Sequence, residues 1–408
     1  MITSLSPTQN PWMQIDGLRR IFAAIQSAGG EVRFVGGCVR DALLGRAVGD
    51  IDLACNLPPE KVSAALKTAG LKVSPTGIEH GTVTAIADHK GYEITTLRRD
   101  VETYGRKAKV EFTDDWQADA ARRDFTMNAL YADEAGKIFD FFDGRDDLAK
   151  NHVRFIGNAE DRIKEDVLRI LRFFRFYAWF GKGAADADSL KACANLANML
   201  PTLSAERVWR EVRKLLAADN PAPSWRLIID HKILPHVLPE AADIARLEGI
   251  IAIEKRFGTS SSHITRLAAL LPPKAETAAD VSKKLKLSNR DAERLFALAT
   301  LPLHMSGKLD IMPFRRMLYE FGADLCHETA LLFAATEHKS TDLEPALAEA
   351  ANWQKPTFPI QGDDLIKLGL KPGPRMGEIL RSVEDWWIAS DFRPTRDECL
   401  AEARRHLS

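Results

Sequence analysis

Between Val32 and Ala54 the chain reads VRFVGGCVRDALLGRAVGDIDLA, and this stretch restricts the possible fold more than any other. A short apolar run, Val32 to Val35, stops at Gly36-Gly37. A helical segment, Cys38 to Leu44, follows and ends at Gly45. A second extended run, Asp50 to Ala54, then carries two carboxylates one residue apart. Alternate residues of a strand face the same way, so Asp50 and Asp52 project together. Two hard oxygen ligands side by side suit Mg²⁺, which takes few carboxylates and leaves its other positions to water and phosphate oxygens. The paired glycines stand where strand gives way to helix, and there bare backbone N–H groups let a polyphosphate come close. A lone Gly-Gly is usually a turn, and a lone Asp-x-Asp a solvated strand end. Their combination on one strand–turn–helix–strand frame, with Arg40-Asp41 between them, points to nucleotide chemistry.

A chain of 408 residues is too long for one core and implies two to four domains. Hydrophobic content of 45% and charged content of 28% fit a globular protein and exclude a disordered or fibrous one. A net charge of −1 confines any nucleic-acid site to a local patch. Cys38, Cys55, Cys193, Cys326 and Cys399 are scattered without a CxxC pair, which suits free thiols in a reducing compartment and argues against a zinc site. No apolar run approaches a membrane span, and MITSLSPTQNPW lacks the layout of a signal peptide. The expected location is the cytoplasm.

Apolar residues at Leu18, Ile21, Phe22 and Ile25 predict a helix over Asp16 to Ala28, and Pro58 to Ala69 reads as another. Extended segments at Leu71 to Val73, Gly81 to Ala87 and Tyr92 to Arg98 would join the first two strands in a small mixed sheet. Glu93 lies in the last of these. From Arg99 to Asp115 the chain is polar and reads as a mobile loop. Ala118 to Ala132 reads as one helix with Arg122 and Arg123 in its first turns, where guanidinium groups can neutralise phosphate and bond it bidentately. Asp140 to Leu148 is turn-rich, with Gly144 expected to supply an unusual backbone angle.

Asp161 to Phe180 predicts a single helix on which Glu165, Asp166, Arg169 and Arg172 share a face, with Arg175 at its margin. Ser204 to Leu216 continues helically, with Ser204 as N-cap and Arg207 one turn in. From Arg162 to Lys214 there are 11 Lys/Arg against 6 Asp/Glu, a basic excess for which an RNA backbone is the natural partner. Beyond Pro221 the pattern is helical, with joints near Pro235, Pro272-Pro273, Pro302 and Lys355-Pro356. A Gly-Pro break (LGLKPGP) precedes a helix starting near Arg375. This last element is either a packing unit or a grip on RNA through Lys371 and Arg375.

The segment GGCVRDALLGRAVGDID resembles the signature of the polymerase-β-like nucleotidyltransferases. It is most similar to the branch holding the bacterial and eukaryotic class of CCA-adding tRNA nucleotidyltransferases and the bacterial poly(A) polymerases. YEITTLR, RRDFTMNAL, EDVLRILRFFR and the ERVWRE segment resemble further motifs of that branch, so the likeness spans roughly Val32 to Leu216. It implies an α+β multidomain protein: a small mixed-sheet head (1–150), a helical neck carrying a base-recognition template (151–220), a helical body (221–340) and a helical tail contacting tRNA (341–408). It also implies addition of CCA to the 3′ end of tRNA from CTP and ATP, without a nucleic-acid template. On this resemblance Asp50 and Asp52 hold Mg²⁺ with Glu93 as third catalytic carboxylate. Gly36, Gly37, Arg40 and Arg123 bind the triphosphate, and Asp166 and Arg169 read the base, backed by Arg172 and Arg175.

The pairing chemistry is consistent with that template. Cytosine and adenine both present an amino donor beside a ring-nitrogen acceptor, which a carboxylate and a guanidinium complement. Uracil and guanine present the opposite polarity. The same motifs leave open a poly(A) polymerase or a partial CC- or A-adding enzyme, and a silent RNA-binding protein is the reading from another class. In the 99–115 segment, Tyr104 and Lys107 stand where the family would place an Asp and a His.

Overall fold

The computed structural model describes residues 4–74, 77, 81–104, 107–301, 311–337 and 343–406. It divides into two compact units, Met1–Pro239 and Glu240–Ser408. In the first, the amphipathic α1 (Asp16–Ser27) buries Leu18, Ile21, Phe22 and Ile25, the positions its spacing predicts. β1 (Val32–Val35) is buried along its whole length and runs straight into α2 (Gly37–Leu43). β2 (Asp52–Cys55) returns antiparallel to β1, and α3 (Pro59–Thr68) follows, with proline in its first turn where no N–H is missed.

β3 (Lys72–Ser74), β4 (Thr82–Ala87) and β5 (Lys90–Thr96) extend the sheet on one side. β6 (Arg98–Tyr104) and β7 (Lys107–Phe112) pair only with each other as an antiparallel hairpin. The expectation of a loop without regular structure is therefore corrected: backbone pairing forms a ladder with Tyr104 opposite Lys107, and Arg99 of one strand pairs with Glu111 of the other at 2.7 Å. After α4 (Trp116–Ala121) come β8 (Leu130–Ala132) and β9 (Ile138–Asp140). The main sheet has seven strands in the order β3-β4-β5-β2-β1-β8-β9, antiparallel except for β2 against β5.

Three local expectations need correction. The predicted helix over Ala118 to Ala132 is really α4, then a 3₁₀ turn at Thr126–Asn128, then β8. Arg122 and Arg123 thus follow a helix rather than begin one. At Gly144, which opens α5 (Gly144–Ala149), the positive φ belongs instead to Asp143 (60°). Glycine is needed there because a β-carbon would lie 2.2 Å from the Thr126 carbonyl oxygen. The third correction is that the single helix expected over Asp161 to Phe180 is two, α6 (Ala159–Glu165) and α7 (Arg169–Phe180), parted at Asp166, whose φ and ψ are −149° and 105°.

α8 (Ala187–Asn195), α9 (Ala205–Leu216) and α10 (Ala222–Asp230) complete the unit, and α9 and α10 both pack on α7. An aromatic cluster of Phe125, Phe155, Phe173 and Phe176 clamps α7 to the 3₁₀ turn after α4. This joins the sheet-bearing part to the helical part inside one unit.

The second unit is helical throughout its described residues: α11 (Ile244–Phe257), α12 (His263–Leu270), α13 (Ala275–Leu285), α14 (Asn289–Thr300), α15 (Ile311–Phe321), α16 (Ala323–Glu337), α17 (Leu343–Asn352), α18 (Gly362–Lys367), α19 (Pro374–Ala389) and α20 (Arg396–Arg405). Pro272-Pro273 separates α12 from α13, and α19 begins at the Gly-Pro break; Pro302 lies outside the described residues. Ile360, Leu365, Val383 and Trp387 form an apolar core around α18 to α20. Among the described residues no helix is long and apolar enough to cross a membrane.

Candidate active site

Gly36 turns the chain from β1 into α2 at φ 72° and ψ −118°, a conformation that strongly favours glycine. A β-carbon there would meet the Arg123 guanidinium and the Asn128 carbonyl, each at 3.5 Å. Arginine therefore lies directly over this bare backbone. Arg123 is held in place: Nη2 donates to Asp119 Oδ2 at 3.2 Å, and Nε to the Tyr131 hydroxyl at 3.2 Å. Asp119 is buried and would be pushed toward the neutral acid. Arg123 and Arg122, with the Tyr131 hydroxyl and the Arg98 N–H, hold its carboxyl below the usual range instead.

Arg40 projects from α2 into the same space. Its Nη1 donates to Asn128 Oδ1 at 2.7 Å, and its Nε and Nη2 donate to the two oxygens of Asp41 at 2.9 and 3.0 Å. Asn128 Nδ2 in turn donates to Asp124 Oδ1 at 3.0 Å, and Asp124 accepts from both Nε and Nη2 of Arg172. Burial alone would raise the Asp124 carboxyl. The Arg172 charge, with hydrogen bonds from Asn128, Arg172 and the Phe125 N–H, outweighs it and holds the pKa at about 2. A continuous hydrogen-bonded chain, Arg40–Asn128–Asp124–Arg172, thus ties α2 to α7.

Asp52 opens β2 and stands level with Glu93 on the neighbouring parallel strand β5. Asp50 and Asp52 are exposed on either side of the buried Ile51, and the regular strand begins only at Asp52, so Asp50 lies just outside it. Partial burial raises the Asp52 carboxyl, and Glu93 and Asp50 raise it further while Arg123 pulls it down. Among the described residues these three carboxylates have no side-chain hydrogen bond or ion pair. Glu93 and Asp50 both repel the Asp52 carboxylate, and hard oxygens of this type are the donors a divalent cation such as Mg²⁺ prefers. Among the described residues no group of three or more His, Cys, Asp or Glu is placed so that it could hold a metal ion. Mg²⁺ does not demand one, since a carboxylate or two plus phosphate oxygens suffices.

Asp166 and Arg169 flank the break between α6 and α7 and do not bond each other as an i,i+3 helical pair. Both Asp166 oxygens accept from Arg207 Nη2 of α9, at 2.9 and 2.8 Å, and Oδ1 also accepts the Leu168 N–H at 3.1 Å. Arg169 Nη1 donates to Glu165 Oε2 at 2.6 Å and to the Arg162 carbonyl at 2.9 Å, while Nη2 donates to the Arg122 carbonyl at 2.9 Å. Arg175 points away: it pairs with the buried Glu211 at 2.8 Å and stacks on Phe176.

One cavity of about 640 Å³ collects most of these groups, a size typical of small-molecule sites (roughly 300–1,000 Å³). Gly36, Gly37, Arg40, Asp52, Arg123, Asp166, Arg169 and Arg172 line it. Asp50, Glu93 and Arg175 do not. Asp124, Asn128, Phe176, Arg210 and Lys214 also line it and were not singled out from the sequence, where Arg207 was placed only one turn into its helix. The available signal was the spacing of Arg207, Arg210 and Lys214, three and four residues apart, which puts three cations on one face of α9. Seven cationic side chains face four carboxylates in this wall, so a polyanion is the ligand it favours.

Comparison with known proteins agrees with this chemistry. The family profile described as "Poly A polymerase head domain" matches residues 32–154. That described as "Probable RNA and SrmB- binding site of polymerase A" matches 185–244, and a tRNA nucleotidyltransferase domain 2 profile matches 255–403. A mouse protein, "CCA tRNA nucleotidyltransferase 1, mitochondrial", is 34% identical over 96% of this chain and 90% of its own length. The "CCA-adding enzyme" of Streptococcus pneumoniae (strain G54) is 35% identical over 94% of this chain and 96% of its own. Among solved structures, that of the Bacillus stearothermophilus CCA-adding enzyme in complex with CTP superposes with a TM-score of 0.75 at 26% identity. The match covers 95% of this chain and 96% of that one.

Proposed function

The chain belongs to the CCA-adding tRNA nucleotidyltransferase family, and on that premise we propose that it extends the 3′ end of tRNA with C, C and A. It uses CTP and ATP and no nucleic-acid template. The observation that carries this reading is the single cavity in which the Gly36-Gly37 turn, Asp52 and the Asp166/Arg169 groups converge, within reach of one nucleotide.

Gly36 and Gly37 admit the triphosphate against bare backbone, and Arg40 and Arg123 neutralise its charge from positions already fixed by Asn128, Asp41, Asp119 and Tyr131. Asp50 and Asp52 hold Mg²⁺, with Glu93 beside them. When bound, this ion favours deprotonation of the attacking 3′-hydroxyl and steadies the departing pyrophosphate. Asp166 and Arg169 choose the base. After Arg207 and Leu168 are served, the Asp166 carboxylate keeps lone-pair capacity for an exocyclic amino group. Arg169 keeps Nε–H and one Nη2 hydrogen for a ring nitrogen, with the rest of the guanidinium anchored. Uracil or guanine would leave these groups mispaired at a cost of roughly 1–3 kcal/mol per contact. Arg172 braces the wall through Asp124.

The proposed division of labour is a catalytic head (1–150), neck (151–220), body (221–340) and a tRNA-contacting tail (341–408). A cytoplasmic setting is supported by five free, buried thiols. The test is incubation with Mg²⁺, tRNA lacking its terminal CCA, and labelled CTP or ATP separately and together. Products three nucleotides longer, only when both are present, are expected. Long adenosine tails from ATP alone would overturn the assignment in favour of a poly(A) polymerase.

A further inference from the structure

Behind the wall formed by Arg40 lies a second cavity of about 420 Å³, which the reaction above leaves unused. It shares Arg40, Phe176 and Lys214 with the nucleotide cavity, so the two lie side by side. Aromatic faces form its body. The Phe180 ring stacks on Phe176 with centroids 5.6 Å apart, and Trp179 keeps 39% of its surface exposed. Guanidinium groups lie over these rings: Arg40 sits 4.3 Å and Arg46 4.8 Å from the Phe180 centroid. Two hydrogen bonds fix the frame, from Arg46 Nη2 to the Trp179 carbonyl at 3.2 Å and from Trp179 Nε1 to the Lys214 carbonyl at 2.8 Å. Four cations against the single carboxylate Asp41 line the space. Exposed aromatic and guanidinium planes beside cationic groups are how proteins hold unpaired bases of single-stranded RNA.

We infer that this aromatic–arginine cavity receives the unpaired base at the 3′ end of the RNA being extended, held against the exposed Trp179 and the outer plane of the Arg46 guanidinium, which Phe180 backs. Charge and adjacency to the nucleotide cavity argue for that occupant. A nucleic-acid strand complements the cationic rim, and a base held here leaves its own ribose near Arg40 and the nucleotide cavity. The inference rests on the reading of the protein as an RNA-extending enzyme. It adds the site that would position the acceptor strand rather than the incoming nucleotide. Arg46 and Trp179 are positioning residues in this scheme.

The test is equilibrium binding, without nucleotide or Mg²⁺ and at fixed ionic strength, of two labelled acceptor-stem minihelices. They are identical except that one is blunt and the other ends in a single unpaired 3′ adenosine. Stacking of one base predicts that the wild type binds the overhanging RNA roughly tenfold more tightly. Arg46→Ala and Trp179→Leu should each reduce that ratio to about twofold or less. The Kd for blunt RNA and the KM for CTP should stay unchanged, which also shows that the variants are folded. Equal binding of both RNAs by the wild type, variants that keep the tenfold ratio, or variants that weaken both RNAs equally would each overturn the inference. Incorporation by the wild type is measured separately. Normal CCA addition without an overhang preference sinks the cavity alone, whereas an overhang preference without nucleotide incorporation sinks the functional reading and leaves the cavity standing.

Discussion

Asp124→Asn isolates the bond that ties the nucleotide-facing part of the cavity to α7. In the wild type Asp124 is 7% exposed and accepts four hydrogen bonds, two of them from Arg172. A carboxyl pKa lowered from 3.8 to about 2 corresponds to about 2 kcal/mol of differential stabilisation. Removing one partner of a buried ion pair typically costs about 3–5 kcal/mol, and this value should be discounted because the Arg172 side chain is 30% exposed. Both routes converge on about 2–3 kcal/mol at pH 7. Because the folded pKa is depressed, the stabilisation is complete above the unfolded value of 3.8 and is lost as pH falls toward about 2. Hydrogen exchange of peptides spanning Phe125–Phe180, across a urea series at pH 7, 5, 4 and 3, reads the stability of this unit alone. The reasoning predicts a wild-type-minus-variant gap that is constant above about pH 5 and clearly narrower at pH 3. A gap below about 0.5 kcal/mol at pH 7, or one that ignores pH, would refute it.

Other consequences are equally open to measurement. Asp50→Ala should abolish nucleotide incorporation and leave the circular dichroism spectrum intact; full activity would end the metal assignment. Because burial, Glu93 and Asp50 hold the Asp52 carboxyl above its usual range, metal binding should weaken on acidification at a pH above 3.8. Glu93→Gln removes one repelling charge, so the midpoint for Mg²⁺ binding by Asp52 should move to lower pH, as titration calorimetry would show. Gly36→Ala forces a side chain into φ 72° at a cost of about 1–3 kcal/mol, and nucleotide KM should rise together with a lower melting temperature.

The sequence revealed those parts of the fold whose patterns are local. The amphipathic α1 follows from its periodicity, and the β1–α2 hand-over from the glycine pair that stops the apolar run at Gly36-Gly37. The break at Asp166 does not. Ile163, Val167, Ile170 and Phe174 keep a helical rhythm straight through it, and no Gly or Pro marks the place. What breaks the helix is tertiary: the Asp166 carboxylate turns back to cap the Leu168 N–H and accepts Arg207 from a segment 41 residues away. The end of α4 before Arg122 is similar, since Asp119 gathers Arg122, Arg123 and Tyr131 from both sides of the turn. The β6–β7 hairpin was missed although the sequence Lys107 to Phe112 alternates charged residues with Ala108, Val110 and Phe112, because the charge density of the whole segment hid that period. The partner of Arg175 could not be read from the chain: only the fold brings Glu211 to it.

Whether a protein carboxylate and guanidinium stand in for a complementary base is tested most directly by nucleotide selectivity. Single-turnover incorporation of CTP, ATP, UTP and GTP onto tRNA lacking CCA should be compared between wild type and Asp166→Ala. The account predicts a wild type that uses CTP and ATP and rejects UTP and GTP by roughly tenfold or more each, and a variant in which that ratio collapses. A variant that keeps the wild-type selectivity would contradict it.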